Sequence, residues 1–337
     1  MYRQLRALFL AFGLALGAGL VPAHARAADQ VTVQLDWVVR GDHAMFFVAR
    51  DKGFFRKHGI EVTAIRKGTG TPDALRLVGN GNAQFGFGDL PTLAVARSQG
   101  VPAVALIAVN ERSPLAIISI KKRHPLTKPT DLKGLNIGIH PAGSTYVFFK
   151  AFLKANGMSE SDMKESTVSP PYENYLLLGR VDVVPGYIDA EVPELEAKAG
   201  GEGSLSILLG ADYGWDVLGS GVFTSDRMVA EKPDLVERFT AAYMEAFKYV
   251  IAHPQEAVEI TAKANPEYAG KADVLLKQLQ ADIKSTFADA DTDAHGLGWM
   301  SPGRWDKTIG VLTEQQVLKA PVKAADLYTN KFVEAAR

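Results

Sequence analysis

The chain has 337 residues, 47% hydrophobic and 22% charged, with a formal net charge of −1 and an isoelectric point near 6.7. Such values belong to a globular protein, and so even a charge balance gives nucleic acid or an anionic membrane little to hold. There is no cysteine, which excludes disulfides, thiolate metal sites and thiol nucleophiles.

The first 27 residues read as a leader. Arg3 and Arg6 give a basic start, Ala7 to Val21 is an apolar run, and Ala25-Arg26-Ala27 presents small residues to a signal peptidase. The run is shorter than the roughly 20 residues a spanning helix needs. Cleavage near Ala27/Ala28 and export to a periplasm are therefore expected, with no membrane insertion of the mature chain. The mature chain is long for a single core and suits two lobes.

Val31 to Leu35 alternates as a strand. Asp42 is placed to cap a helix from His43 to Arg50, with Gly53 past its end. Glu61 to Ile65 reads as a second strand, Lys67-Gly68-Thr69-Gly70 as a loop, and Thr71-Pro72 as a helix start. Gln84 to Gly88 comes next as a strand, with a helix after Pro91. Val104 to Val109 and Leu115 to Ile120 are apolar runs suited to buried strands. This alternation implies an α/β lobe on a largely parallel sheet.

Lys121 to Pro125 is basic and turn-like. The βα rhythm then restarts at Asn136 to Ile139, and Gly143-Ser144-Thr145 opens a helix over 146–156. Val181 to Tyr187 and Leu205 to Leu209 are further strands. Val217 to Thr224 reads as a strand returning to the first lobe. Beyond it the pattern is mostly helical, over 235–252, 256–264 and 272–287, with 305–318 and 324–331 bracing lobe one.

An internal echo supports two lobes. Gly79, Gly86 and Asp89 have the same spacing as Gly179, Gly186 and Asp189. Each set reads as helix end, strand, and an acid at the strand's carboxyl end, where open α/β sheets bind ligands. Two such lobes would set Asp89 and Asp189 on opposite walls of one cleft.

Leu35-Asp36-Trp37, Asp42-His43 and the run from Asp51 to Val62 resemble the thiamine-pyrimidine-synthesis-like family of solute-binding proteins. Asp131-Leu132-Lys133-Gly134, Gly298-Trp299-Met300 and Ala325 to Phe332 carry the same resemblance. It implies a periplasmic-binding-protein-like fold of type II, with two α/β lobes joined by a two-crossing hinge. Lobe one is then 28–119 plus 224–337, and lobe two is 120–223. It also implies a monomer that captures a small-molecule ligand without a cofactor and delivers it to an ABC permease in the inner membrane. Thiamine-precursor binders carry Pro-Asn after the Asp-Trp, whereas here Val38-Val39-Arg40 stands in that place. Members that synthesise the pyrimidine carry a Cys-rich motif that this chain lacks.

Trp37, leaving a strand, either stacks on a planar ligand or packs in the core. His43 either donates to a ligand from a helix start or sits by a cap. Arg40 reads a carboxylate or sulfonate, or is a solvated loop charge. Thr69-Gly70-Thr71 and Gly143-Ser144-Thr145 are matched loops, each entering a helix, that offer hydroxyls and helix-start amides to a polar or anionic ligand, or simply cap their helices. Tyr187, Asp189 and Glu191 form the lobe-two candidates. The resemblance implies that an acid there contacts the ring of a pyrimidine. Asp89 and Asn110 complete the expected set. A thiamine-precursor pyrimidine is the first ligand choice and an organic anion the second. An enzyme using Asp89, Asp189 and Glu191 as acid–base groups is the third reading. No His-Glu-x-x-His or Gly-x-Ser-x-Gly pattern occurs, so metal and serine-hydrolase chemistry are not expected.

Overall fold

The computed structural model describes residues 27–169, 171 and 173–337. Of the expected leader, residues 1–26 lie outside the described residues. Strands β1 (Asp29–Gln34), β2 (Ile60–Arg66), β3 (Phe85–Asp89) and β4 (Ala103–Ala108) begin one sheet. Strands β5 (Leu115–Ile120), β6 (Asn136–Ile139), β7 (Lys164–Thr167), β8 (Val183–Tyr187) and β9 (Leu205–Leu209) make a second. Strand β10 (Ser220–Ser225) returns to the first. The orders are β2-β1-β3-β10-β4 and β7-β6-β8-β5-β9.

The two sheets repeat one plan. In each, three parallel strands end on an echo strand, β3 or β8. Beside it lies an antiparallel strand that entered from the other lobe, β10 or β5. The sheets are therefore mixed rather than largely parallel, because each crossing is too short to carry a helix that would restore direction. Strands β3, β4, β5, β8 and β10 are buried along their whole length, which explains their apolar or glycine-rich runs. The echo of Gly79 and Gly179 thus marks equivalent strands in two lobes.

Sheet membership places Leu115–Ile120 in the second sheet and Ser220–Ser225 in the first. The chain changes lobes at 109–114 and 210–219, several residues before the expected 119/120 and 223/224. The two crossings hydrogen-bond to each other: Gly219 N donates to Asn110 O (3.0 Å) and Ser113 N to Val217 O (3.0 Å). A Cβ at Gly219 would lie 2.6 Å from the Asn110 Cβ, so only glycine permits this approach.

The C-terminal region packs on lobe one. Helix Pro233–Ala252 buries Leu235, Val236, Phe239, Tyr243, Phe247 and Val250 along one stripe. Phe239 stacks on Phe85 with ring centroids 3.6 Å apart. The stretch 324–331, expected to brace lobe one, is a single turn at Ala324–Asp326 and then an extended strap. There Leu327 O accepts from Ala105 N and Thr329 N donates to Ala105 O. The strap covers the open edge of β4, which would otherwise expose a row of backbone groups.

Candidate functional site

The loop leaving β1 folds inward around one carboxylate. Asp36 is 3% exposed. It accepts from both terminal nitrogens of Arg40, each at 3.2 Å, and lies 3.1 Å from His43 Nε2. Arg40 Nε donates to Asp42 Oδ2 at 3.0 Å. Arg40 N donates to His43 Nδ1, so that nitrogen is the acceptor and Nε2 carries the proton given to Asp36. Burial alone would raise the Asp36 pKa, but the guanidinium and the imidazole hold it below the usual carboxylate value. Burial would lower that of Arg40, and Asp36 with Asp42 reverses this strongly. Asp42, expected as a helix cap, thus pairs with Arg40 instead.

Asp36 and Arg40 also face a cavity between the lobes, of about 20 Å³. That holds roughly one water molecule. Lobe one supplies Asp36, Trp37, Arg40, Gly70 and Thr71; lobe two supplies Gly143, Ser144, Thr145, Tyr187 and Glu191. Trp37 meets the His140 ring edge-on at 5.3 Å across the cleft, and His140 Nε2 lies 2.8 Å from Thr69 O. The Tyr187 hydroxyl is 2.5 Å from Ser144 Oγ, and its ring lies 5.3 Å from the Arg40 guanidinium carbon. Burial raises the Tyr187 phenol well above its ordinary pKa, keeping it a neutral donor. Glu191 Oε2 accepts from Tyr187 N at 2.6 Å.

Helices Thr71–Gly79 and Ser144–Ala155 both begin at this cavity, and neither start has a side-chain cap. Two helix N-termini, one from each lobe, therefore aim amide donors and positive potential at the same space. A Cβ at Gly70, whose φ is +150°, would lie 2.2 Å from Ala142 O in the other lobe. The lobes meet there backbone to backbone.

Trp37, Arg40, Ser144, Thr145, Tyr187 and Glu191 are thus brought together. His43 is fully buried behind Asp36 and packs edge-on against Phe87. Thr69 is exposed and touches the cleft only through its carbonyl. Asp89 caps helix Leu90–Ser98 through Thr92, and burial pushes its pKa up to about 7. Asn110 lies in a crossing and donates to Asp282 and Thr286. Asp189 sits beneath the cavity wall against Asp282, not opposite Asp89. Trp215 packs on Phe148 and donates to Ser113, away from the cleft.

Gly70, Thr71 and Gly143 belong to the two matched loops to which the sequence points, and they line the cavity with Ser144 and Thr145. Sequence reasoning missed Asp36 as a lining residue; its place in Leu35-Asp36-Trp37, beside Trp37, was the available signal.

A family model described as NMT1/THI5 like matches residues 40–257. The riboflavin-binding protein RibY of Chloroflexus aurantiacus is 27% identical over 316 residues, covering 90% of this chain and 86% of its own. The formylaminopyrimidine-binding protein of Halalkalibacterium halodurans is 24% identical, covering 90% and 91%. A 4-amino-5-hydroxymethyl-2-methylpyrimidine phosphate synthase of Saccharomyces cerevisiae, THI5, is 25% identical over 91% of this chain and 88% of its own. Binding proteins and enzymes thus share the sequence pattern. Among solved structures, the alkanesulfonate-binding protein SsuA of Xanthomonas axonopodis superposes with a TM-score of 0.68 at 16% identity, covering 90% of this chain and 99% of that one. The two-lobe architecture is accordingly a periplasmic-binding-protein fold. With the model spanning most of both lobes, the chain belongs to the NMT1/THI5-like family.

Proposed function

We propose that this chain is the ligand-capturing component of an ABC importer, exported by a leader ending near Ala27, that closes its lobes on a small planar heteroaromatic molecule. The observation carrying this reading is a cavity walled equally by both lobes. A ligand held there bridges the lobes, so binding favours the closed form over the open one. At about 20 Å³ the closed space is far below the roughly 300 Å³ of small-molecule sites, so entry requires the lobes to part. Trp37 offers a stacking face, Glu191 accepts from an exocyclic amine, and the hydroxyls of Thr71, Ser144 and Thr145 serve ring nitrogens or carbonyls. Formylaminopyrimidine and riboflavin, bound by the named relatives, are both flat and carry such groups.

A second reading, an organic anion, is favoured by the two uncapped helix starts. Arg40 does not add to it, because Asp36 and Asp42 already engage its guanidinium. A thermal-shift screen of pyrimidines, flavins, aromatic acids and sulfonates separates these, since a ligand binding only the native state raises apparent stability. Recovery of the ligand chemically unchanged separates capture from catalysis. Trp37→Ala is expected to weaken binding of a planar ligand about fivefold or more, from lost stacking of about 1 kcal/mol. Unaltered affinity in a folded variant removes the stacking role.

A further inference from the structure

Asp189 lies between Tyr187 and Glu191, two residues of the cavity wall. Its carboxyl is buried beside that of Asp282, on helix Ala272–Ser285, whose Leu275 and Leu279 belong to the lobe-one core. Two carboxylates accept only, so two buried side by side are held together when one of them carries a proton. Asp282 Oδ1 is held at 2.7 Å by Asn110 Nδ2 and at 2.9 Å by Thr286 Oγ1. One turn earlier, Gln278 Nε2 donates to Ala190 O (2.7 Å) while its Oε1 accepts from Gly41 N (3.1 Å). One helix thus grips the lobe-two wall at two adjacent residues and ties it to the Arg40–His43 loop and a crossing.

We propose that helix Ala272–Ser285 fastens the closed cleft through Gln278 and Asp282, and that closure takes up one proton, shared by Asp189 and Asp282. The inference rests on the capture reading only in taking closure as the ligand-bound form.

The surroundings favour the protonated pair. Burial is the main cause that raises both carboxyls; Asp189 further raises Asp282, Asp282 partly lowers Asp189, and Asp42 raises both. Arg40 opposes it at Asp189 but is neutralised by Asp36 and Asp42. From helix Glu191–Ala199 the nearest charged group is Glu191, turned toward Tyr187 N. The remaining partners, Asn110, Thr286 and Gln278, are neutral. When the lobes part, the separated acids return to ordinary carboxylates titrating near about 4. The closed form thus binds more protons, so closure strengthens as pH falls and weakens as pH rises above that range. A difference of one proton changes the closed-to-open ratio about tenfold per pH unit.

The test is small-angle scattering of ligand-free protein between about pH 5 and about pH 8, a range set by the ordinary carboxylate and imidazole values. The radius of gyration is expected to grow with pH. Asp282→Asn, whose amide donates to Asp189 without a titrating proton, is expected to stay compact throughout. Asp189→Asn makes the same bond from the other side and serves if the first variant does not fold. A pH-independent wild type overturns the proposal. So does a variant with the full wild-type dependence, which assigns it to His140, the other titratable cross-lobe contact. Failure of every ligand in the thermal-shift screen sinks the capture reading but leaves this scattering result standing.

Discussion

At the scale of single residues, the decisive one is Asp36, which organises everything that Leu35-Asp36-Trp37 announces. Its two oxygens bind Arg40, His43 and Thr71, so the loop turns inward and Trp37 is left half-buried at the cavity. Arg40 reads in the sequence as a charge at a cleft mouth. In the fold it is 4% exposed and saturated by two aspartates. That outcome was invisible because an Asp and an Arg four residues apart pair only if the intervening loop folds back. Arg40→Gln leaves two carboxylates buried without their cation and is expected to cost about 3–5 kcal/mol of stability. Urea unfolding measures this, and a loss below about 1 kcal/mol, as for an exposed pair, contradicts the assignment. The affinity for a neutral ligand then falls through misplacement of Trp37, not through a lost ionic contact.

At the scale of elements, two helix starts set the site and a strap closes a sheet edge. The loops before Thr71 and Ser144 were legible as matched helix starts, and both reach the cavity. Which hydroxyl reaches it was not legible. Gly70 turns the chain so that Thr71 faces inward and Thr69 outward, a choice made by the contact with Ala142 O. Gly70→Ala puts a methyl into that contact and is expected to hold the lobes apart without unfolding either. A larger radius of gyration at unchanged helical circular dichroism is the expected result, and a compact variant refutes the contact's role. The strap at Leu327–Thr329 lies in the stretch expected to brace lobe one. The free edge of β4 offers it two backbone hydrogen bonds, which hold it extended.

At the scale of the whole molecule, closure and stability both depend on buried acids. Burial pushes Asp89 up to about 7, and burial with Asp289 nearby pushes Glu111 up to about 8. In the unfolded chain both titrate near about 4, so between these values the native state binds more protons. Their contribution is complete below the unfolded value, declines as pH rises, and is flat above about 8. Glu111→Gln is expected to remove part of that slope, up to about 1.4 kcal/mol per pH unit, in denaturation midpoints measured across the range. An unaltered slope excludes Glu111 as its source. The sequence by itself determined the two-lobe α/β plan, because apolar runs, helix starts and the repeated Gly–Gly–Asp spacing are local signals that survive without a fold. It also determined most of the cavity residues, since they flank those signals. Only the tertiary structure decided which side chains turn into the cleft, where the chain changes lobes, and that Asp189 meets Asp282 rather than facing Asp89. Those outcomes depend on contacts between segments far apart in the chain, such as Asn110 with Asp282 and Gln278 with Ala190, and no local pattern encodes them.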